Sequence, residues 1–185
     1  MGNSEIRSWG TRLPTTIPLW AVIGALVLAM TASVWPLNEE RHIFSPTLEP
    51  FGDASFRDLQ GVNLAGQDLR GVNLAGSNLM RANLTGANLE DAILTGANLS
   101  FASLTEAFLE RAVLNGAIAF ESDFSGAFAA GTDFQSANLS SARFVNADLW
   151  QANMSYTKID GAEFDNAHLA EVDWTKTQPG KPRND

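Results

Sequence analysis

From Leu59 to Trp174 a large apolar residue, most often Leu or Phe, recurs at every fifth position, and a small residue usually sits two places before it. The phase opens with Val62-Asn63-Leu64 and Val72-Asn73-Leu74. It holds through Ala87-Asn88-Leu89, Ala97-Asn98-Leu99, Ala137-Asn138-Leu139 and Ala147-Asp148-Leu149. Counting by fives from Leu59 to Trp174 gives 24 units without a slip. A period of five suits neither regular element. Side chains five apart point to opposite faces of a strand, and on a helix they drift by roughly 140° per unit. A continuous apolar face forms only if the chain turns once per unit, so that every centre points back at one axis. Four short sides then make a coil of twenty residues, and coils stack at strand spacing. No single repeat buries a core; stacked neighbours bury one together.

The unit, a small residue, then Asn or Asp, then Leu and two more residues, resembles the pentapeptide-repeat family, whose pattern is A-(D/N)-L-x-x. The resemblance spans residues 59–174, 116 of the 185. It implies an all-β fold, a right-handed quadrilateral β-helix, in which the central Leu or Phe and the small residue before it both face inward. The 24 units make six coils, a repeat solenoid roughly 29 Å long at about 4.8 Å per coil.

Ahead of the repeats the chain reads as three pieces. Residues 1–16 are mostly polar, with Arg7 and Arg12 against Glu5. Ile17 to Leu37 then runs 21 residues without a charge, with Trp20 and Trp35 near its ends. About 20 apolar residues cross a bilayer as a helix, and aromatic residues favour its interfaces. This predicts one N-terminal transmembrane helix. The alternative is a cleaved signal peptide, with Leu19 to Met30 as its core and Thr31-Ala32-Ser33 as small residues, although no strict Ala-x-Ala site is present. Arg7 and Arg12 precede the span and Arg41 follows it, so the positive-inside rule leaves residues 1–16 in the cytoplasm. The solenoid is then expected in a periplasm or thylakoid lumen. Residues 38–58, with Pro46 and Pro50, read as a linker and N-terminal cap, in which Phe51 and Phe56 are expected to plug the first coil. Residues 175–185 read as a disordered tail.

Two departures from the repeat stand out. The centres Ala119 and Ala129 are small, ten residues apart and therefore on opposite sides of one coil, whose other centres are Phe124 and Phe134. Two small and two large residues in place of four Leu roughly conserve volume. The position just before each centre is usually Asn or Asp, but Ile93, Phe108, Val113, Ile118 and Phe128 replace the polar residue in the middle coils. Residues twenty apart stack, so Phe108 lies beneath Phe128 and Ile93 beneath Val113. Phe101 and Phe120 fall at turns nearby. Exposed apolar bands of this kind mark interaction surfaces, and these seven residues are the expected partner-binding set.

Signs of chemistry are sparse. With no Cys, thiolate metal sites and Cys nucleophiles are excluded. The only two His, His42 and His168, stand apart, and no His/Asp/Glu cluster shows metal spacing. The expectation is a chain that is not an enzyme and takes no cofactor. A net charge of −9 argues against binding nucleic acid. Family members of the exported or membrane-anchored type occur in cyanobacteria, and the resemblance implies a scaffold docking on a membrane protein complex, with a photosynthetic or respiratory complex as the natural partner. The same stripe could also support a homo-oligomer. The alternative function is an acidic mimic of nucleic acid, of the gyrase-protecting type. Against it, such proteins are cytoplasmic and dimerise through an apolar C-terminal element, whereas this chain has an apolar N-terminal span and a polar tail.

Overall fold

The computed structural model describes residues 48–178. The segments expected to be cytoplasmic and transmembrane, residues 38–47 of the linker with His42, and residues 179–185 lie outside the described residues. Among the described residues no helix is long and apolar enough to cross a membrane.

Twenty-two parallel bridges connect residues twenty apart, from Asp53–Asn73 at one end to Lys158–Gln178 at the other. They form four ladders, the four sides of the coil. The first carries Asn63, Asn83, Ser103, Asp123, Arg143 and Glu163; the second Asp68, Asn88, Phe108, Phe128, Asp148 and His168. The third runs from Asp53 through Asn73, Ile93, Val113, Asp133 and Asn153 to Asp173, and the fourth from Asp58 through Asn78, Asn98, Ile118, Asn138 and Lys158 to Gln178. Each rung but the last, Lys158–Gln178, uses two backbone hydrogen bonds. The Leu64 N–H donates to the Asn83 carbonyl and the Asn83 N–H to the Val62 carbonyl, both at 2.8 Å.

One turn geometry closes every unit. In the unit after Leu59, the Val62 N–H donates to the Leu59 carbonyl at 3.1 Å, and Gly61 between them has φ +65. Every fifth residue from Phe51 to Lys176 shares that positive φ, ten glycines and sixteen others, none of them β-branched. The left-handed region crowds a Cβ and is worst for branched side chains, so the turn selects against Val, Ile and Thr even where it accepts Phe. The outward Asn or Asp supports the same turn: its Oδ1 accepts the N–H two residues on, as in Ala65 N–H to Asn63 (3.2 Å) and Ser100 N–H to Asn98 (3.1 Å).

The core is the stack of centres with the small residues between them. Leu64, Leu74, Leu84, Leu94, Leu104 and Leu114 are wholly buried, as are Ala87, Ala97, Ala107 and Ala117 to within 1%. Where Ser or Thr takes the small slot its hydroxyl donates to a carbonyl, as Ser77 to Leu74 and Thr132 to Leu109, each at 2.7 Å. The expected compensating coil is present and extends further than one layer. Ala119, Phe124, Ala129 and Phe134 are all wholly buried. The Phe124 ring meets Phe134 edge-on at 5.8 Å and stacks on Phe144 of the next coil at 4.7 Å and 4°. Phe144 in turn stacks on Phe164, against which Trp174 packs edge-on.

The ends differ from expectation. The solenoid opens at Asp53, one unit before Leu59, with buried Ala54 in the central position. Phe51 and Phe56 do not plug the first coil. They occupy the positive-φ turn position and are 75% and 83% exposed. Their rings lie over Gly71 and Gly76 of the next coil, where an added Cβ would come within 2.3 Å of Phe51 and 2.6 Å of Phe56. At the other end Thr175 to Gln178 are not irregular; Lys176 makes the repeat turn and Gln178 pairs with Lys158.

Candidate interaction surface

The solenoid interior is filled by side chains, so a partner has only the convex sides and the turns to grip. On those sides the seven expected partner-binding residues fall into two groups. On the second side Phe108 and Phe128 stack face to face, with centroids 5.1 Å apart and planes at 8°. They remain 42% and 45% exposed. The second group wraps the third and fourth sides. Ile93 pairs with Val113 across a rung of the third, Ile118 stands on the fourth, and Phe101 and Phe120 meet edge-on at 5.7 Å on the turn beyond it. The Arg81 guanidinium lies 5.6 Å from the Phe101 centroid, close enough for cation–π attraction.

These outward substitutions have a local cost. The N–H groups of Thr95, Glu110, Asn115, Phe120 and Ala130 sit two residues after Ile93, Phe108, Val113, Ile118 and Phe128. Where Asn or Asp precedes, the equivalent N–H is capped; here none of the five takes a hydrogen bond among the described residues. Such a bond is worth about 0.5–1.5 kcal/mol, so these five outward positions forgo a bond that the outward Asn and Asp residues make.

The two groups are not continuous. Between Phe108 and Val113 the chain turns through Glu110 and Arg111, and the coil below supplies Glu90 and Asp91 at the same corner. Arg111 donates from Nε and Nη2 to Asp91 (2.9 and 3.0 Å) and also from Nη2 to Glu90. Its guanidinium holds the Asp91 carboxyl below the ordinary aspartate value, and the Asp91 hydrogen bond foremost raises Arg111 in return. The polar first side carries a second bridge, Arg143 between Glu163 (3.1 Å) and Asp123 (3.2 Å). On the second side, His168 Nδ1 lies 3.0 Å from the Asp148 carboxylate. Among the described residues no group of three or more His, Asp or Glu is placed to hold a metal ion.

Sequence reading missed Trp150 and Tyr156, 42% and 46% exposed. Both occupy turn positions rather than the outward slot, Tyr156 at positive φ with the Lys176 ammonium 5.1 Å from its ring. The signal available was their phase, since a large aromatic in a turn slot cannot face the core.

The family described as pentapeptide repeats matches the chain in eight copies, over residues 58–96, 92–128, 120–151 and 132–170. Its fold is the right-handed quadrilateral β-helix. Solved relatives include a pentapeptide repeat protein from the cyanobacterium Cyanothece 51142, at 30% identity over 60% of this chain, with a TM-score of 0.38. The match covers 62% of that protein's length. Another, from Nostoc PCC 7120, is 30% identical over 52% of this chain and 84% of its own, with a TM-score of 0.45. A third, from the Arabidopsis thaliana thylakoid lumen, is 26% identical over 71% of this chain and 70% of its own, with a TM-score of 0.29. No curated protein sequence matches the chain.

Proposed function

The chain belongs to the pentapeptide-repeat family, and we propose that it is a non-catalytic interaction scaffold. In this proposal Ile17 to Leu37 holds it in a membrane, and the β-helix docks on a membrane protein complex from the lumenal or periplasmic side. The observation that carries docking is the run of outward apolar residues in the middle coils. Ile93, Phe108, Ile118 and Phe128 stay 41–45% exposed where Asn or Asp would cap the turn, so neither core packing nor turn stability accounts for them. Stacked aromatic side chains supply disproportionate binding energy once a partner excludes water from them. Mimicry of nucleic acid has less support, because Arg111 and Arg143 interrupt the carboxylates of their sides.

Affinity purification from detergent-solubilised membranes tests docking. Phe108→Asn with Phe128→Asn should leave circular dichroism unchanged and release the copurifying complex; undiminished recovery would sink the proposal. The anchor is tested separately by intact mass of the native protein. A mature start near Val34 would replace the membrane-held scaffold with a soluble exported one.

A further inference from the structure

The Phe108–Phe128 stripe has a rim in which carboxylates outnumber cations. Glu106 and Glu110 stand two residues to either side of Phe108, at the turns that begin and end the second side. Neither carboxylate meets a cation among the described residues. At the Glu110 corner, Glu90 and Asp91 share the single guanidinium of Arg111. Asp148, the next rung beyond Phe128, has only the imidazole of His168. Five carboxylates thus border two exposed rings, with one arginine and one histidine among them. The corner of Glu90, Asp91, Glu110 and Arg111 also leads into Ile93 and Val113, whose far edge is uncharged, with Thr95, Gly96, Asn115 and Gly116. Only the aromatic stripe has carboxylates at the turns on both of its edges, Glu106 and Glu110.

Charge complementarity decides between occupants. A second copy placed on this stripe would set carboxylates against carboxylates, and an anionic bilayer would be repelled. A cation beside the stripe gains from the flanking carboxylates, while the rings accept the apolar side chains next to it. We infer that the Phe108–Phe128 stripe binds a basic segment of a partner protein, in which bulky apolar side chains lie between Lys or Arg residues. This rests on the reading above that the stripe is a docking surface, and it names the chemistry of what docks.

Three synthetic peptides with a common Ser-Phe-Ser-Leu-Ser centre, flanked by two Lys, two Ser or two Glu on each side, separate the contributions. Each is titrated by fluorescence anisotropy against the full chain in neutral-lipid nanodiscs. The Lys-flanked peptide should bind about tenfold more tightly than the Ser-flanked one, the Glu-flanked peptide most weakly, and the difference should shrink at high salt. Glu106→Gln with Glu110→Gln should weaken the Lys preference and leave Ser-flanked binding unchanged; an undiminished preference would overturn the acidic rim as its source. Phe108→Asn with Phe128→Asn should abolish binding of both. Ser-flanked binding lost with the phenylalanines, but with no charge preference, would overturn the basic partner and leave the docking surface standing. Lys-flanked binding that survives loss of both phenylalanines would overturn both, as would no binding of the Lys-flanked peptide. A dimer in sedimentation, or binding to anionic vesicles, that Phe108→Asn with Phe128→Asn removes would assign the stripe to a second copy or to lipid instead.

Discussion

Phe124→Ala probes the coil in which two alanines and two phenylalanines stand in place of four leucines. The ring is wholly buried, stacked on Phe144 at 4.7 Å and edge-on to Phe134 at 5.8 Å. Truncating it removes buried apolar surface and opens a cavity bounded by the rungs above and below, which backbone bridges hold apart, so little collapse can follow. Buried Phe→Ala changes of this kind cost about 3–5 kcal/mol. For a body of this size that corresponds to a fall in Tm of about 10–15 °C. The neighbours provide the control. Ala119 and Ala129 are also wholly buried, on the two sides adjoining Phe124 in the coil, and leucine at each adds three carbons beyond Cβ. Together the two leucines replace the six carbons lost with the ring. The triple variant should therefore regain part of the loss, because residues sharing a cavity couple rather than add. Thermal unfolding by circular dichroism reads the outcome, and hydrogen exchange shows whether the loss is local to this coil. A triple variant no more stable than the sum of its single changes would refute a shared core layer. A single-variant loss below about 1 kcal/mol would refute the claim that the rungs prevent collapse.

The remaining outcomes concern the surface. Phe108→Asn with Phe128→Asn should not lower Tm, since Asn restores hydrogen bonds to the Glu110 and Ala130 N–H groups that the phenylalanines leave uncapped; a clear fall in Tm would show that the stack stabilises the solenoid itself. Gly86→Ala should cost about 1 kcal/mol, from the positive φ alone, because nothing lies within 4 Å of the added Cβ. Gly71→Ala should cost more by denaturant titration, since its Cβ must also displace Phe51, and Phe51→Ala should remove the excess. The Asp91 carboxyl, lowered by Arg111, stabilises the fold above the ordinary aspartate range and loses that contribution as pH falls through its depressed folded value. NMR titration should find its midpoint below that of an unpaired aspartate, and Arg111→Met should return it to the ordinary value.

Period and phase, and the family resemblance they carry, determined the architecture. A repeat of five that neither a strand nor a helix can use leaves only a chain that turns once per unit; with the four-sided coil that the family resemblance implies, the inward centres and the stacking of Phe108 on Phe128 followed. Reach in space was not legible. Phe51 and Phe56 looked like plugs because they are large and precede Leu59, yet Asp53 and the small centre Ala54 extend the coil backward and turn both rings outward. The apolar stripe looked like one band because spacing shows which residues share a side. Only the folded chain shows that Arg111 reaches back twenty residues to Asp91 and, with Glu110 and Glu90, places a charged corner between Phe108 and Val113. The physical reason is the same in each case. Backbone periodicity is set by local geometry that every unit repeats, whereas side-chain pairing depends on rotamers and on neighbours one coil away.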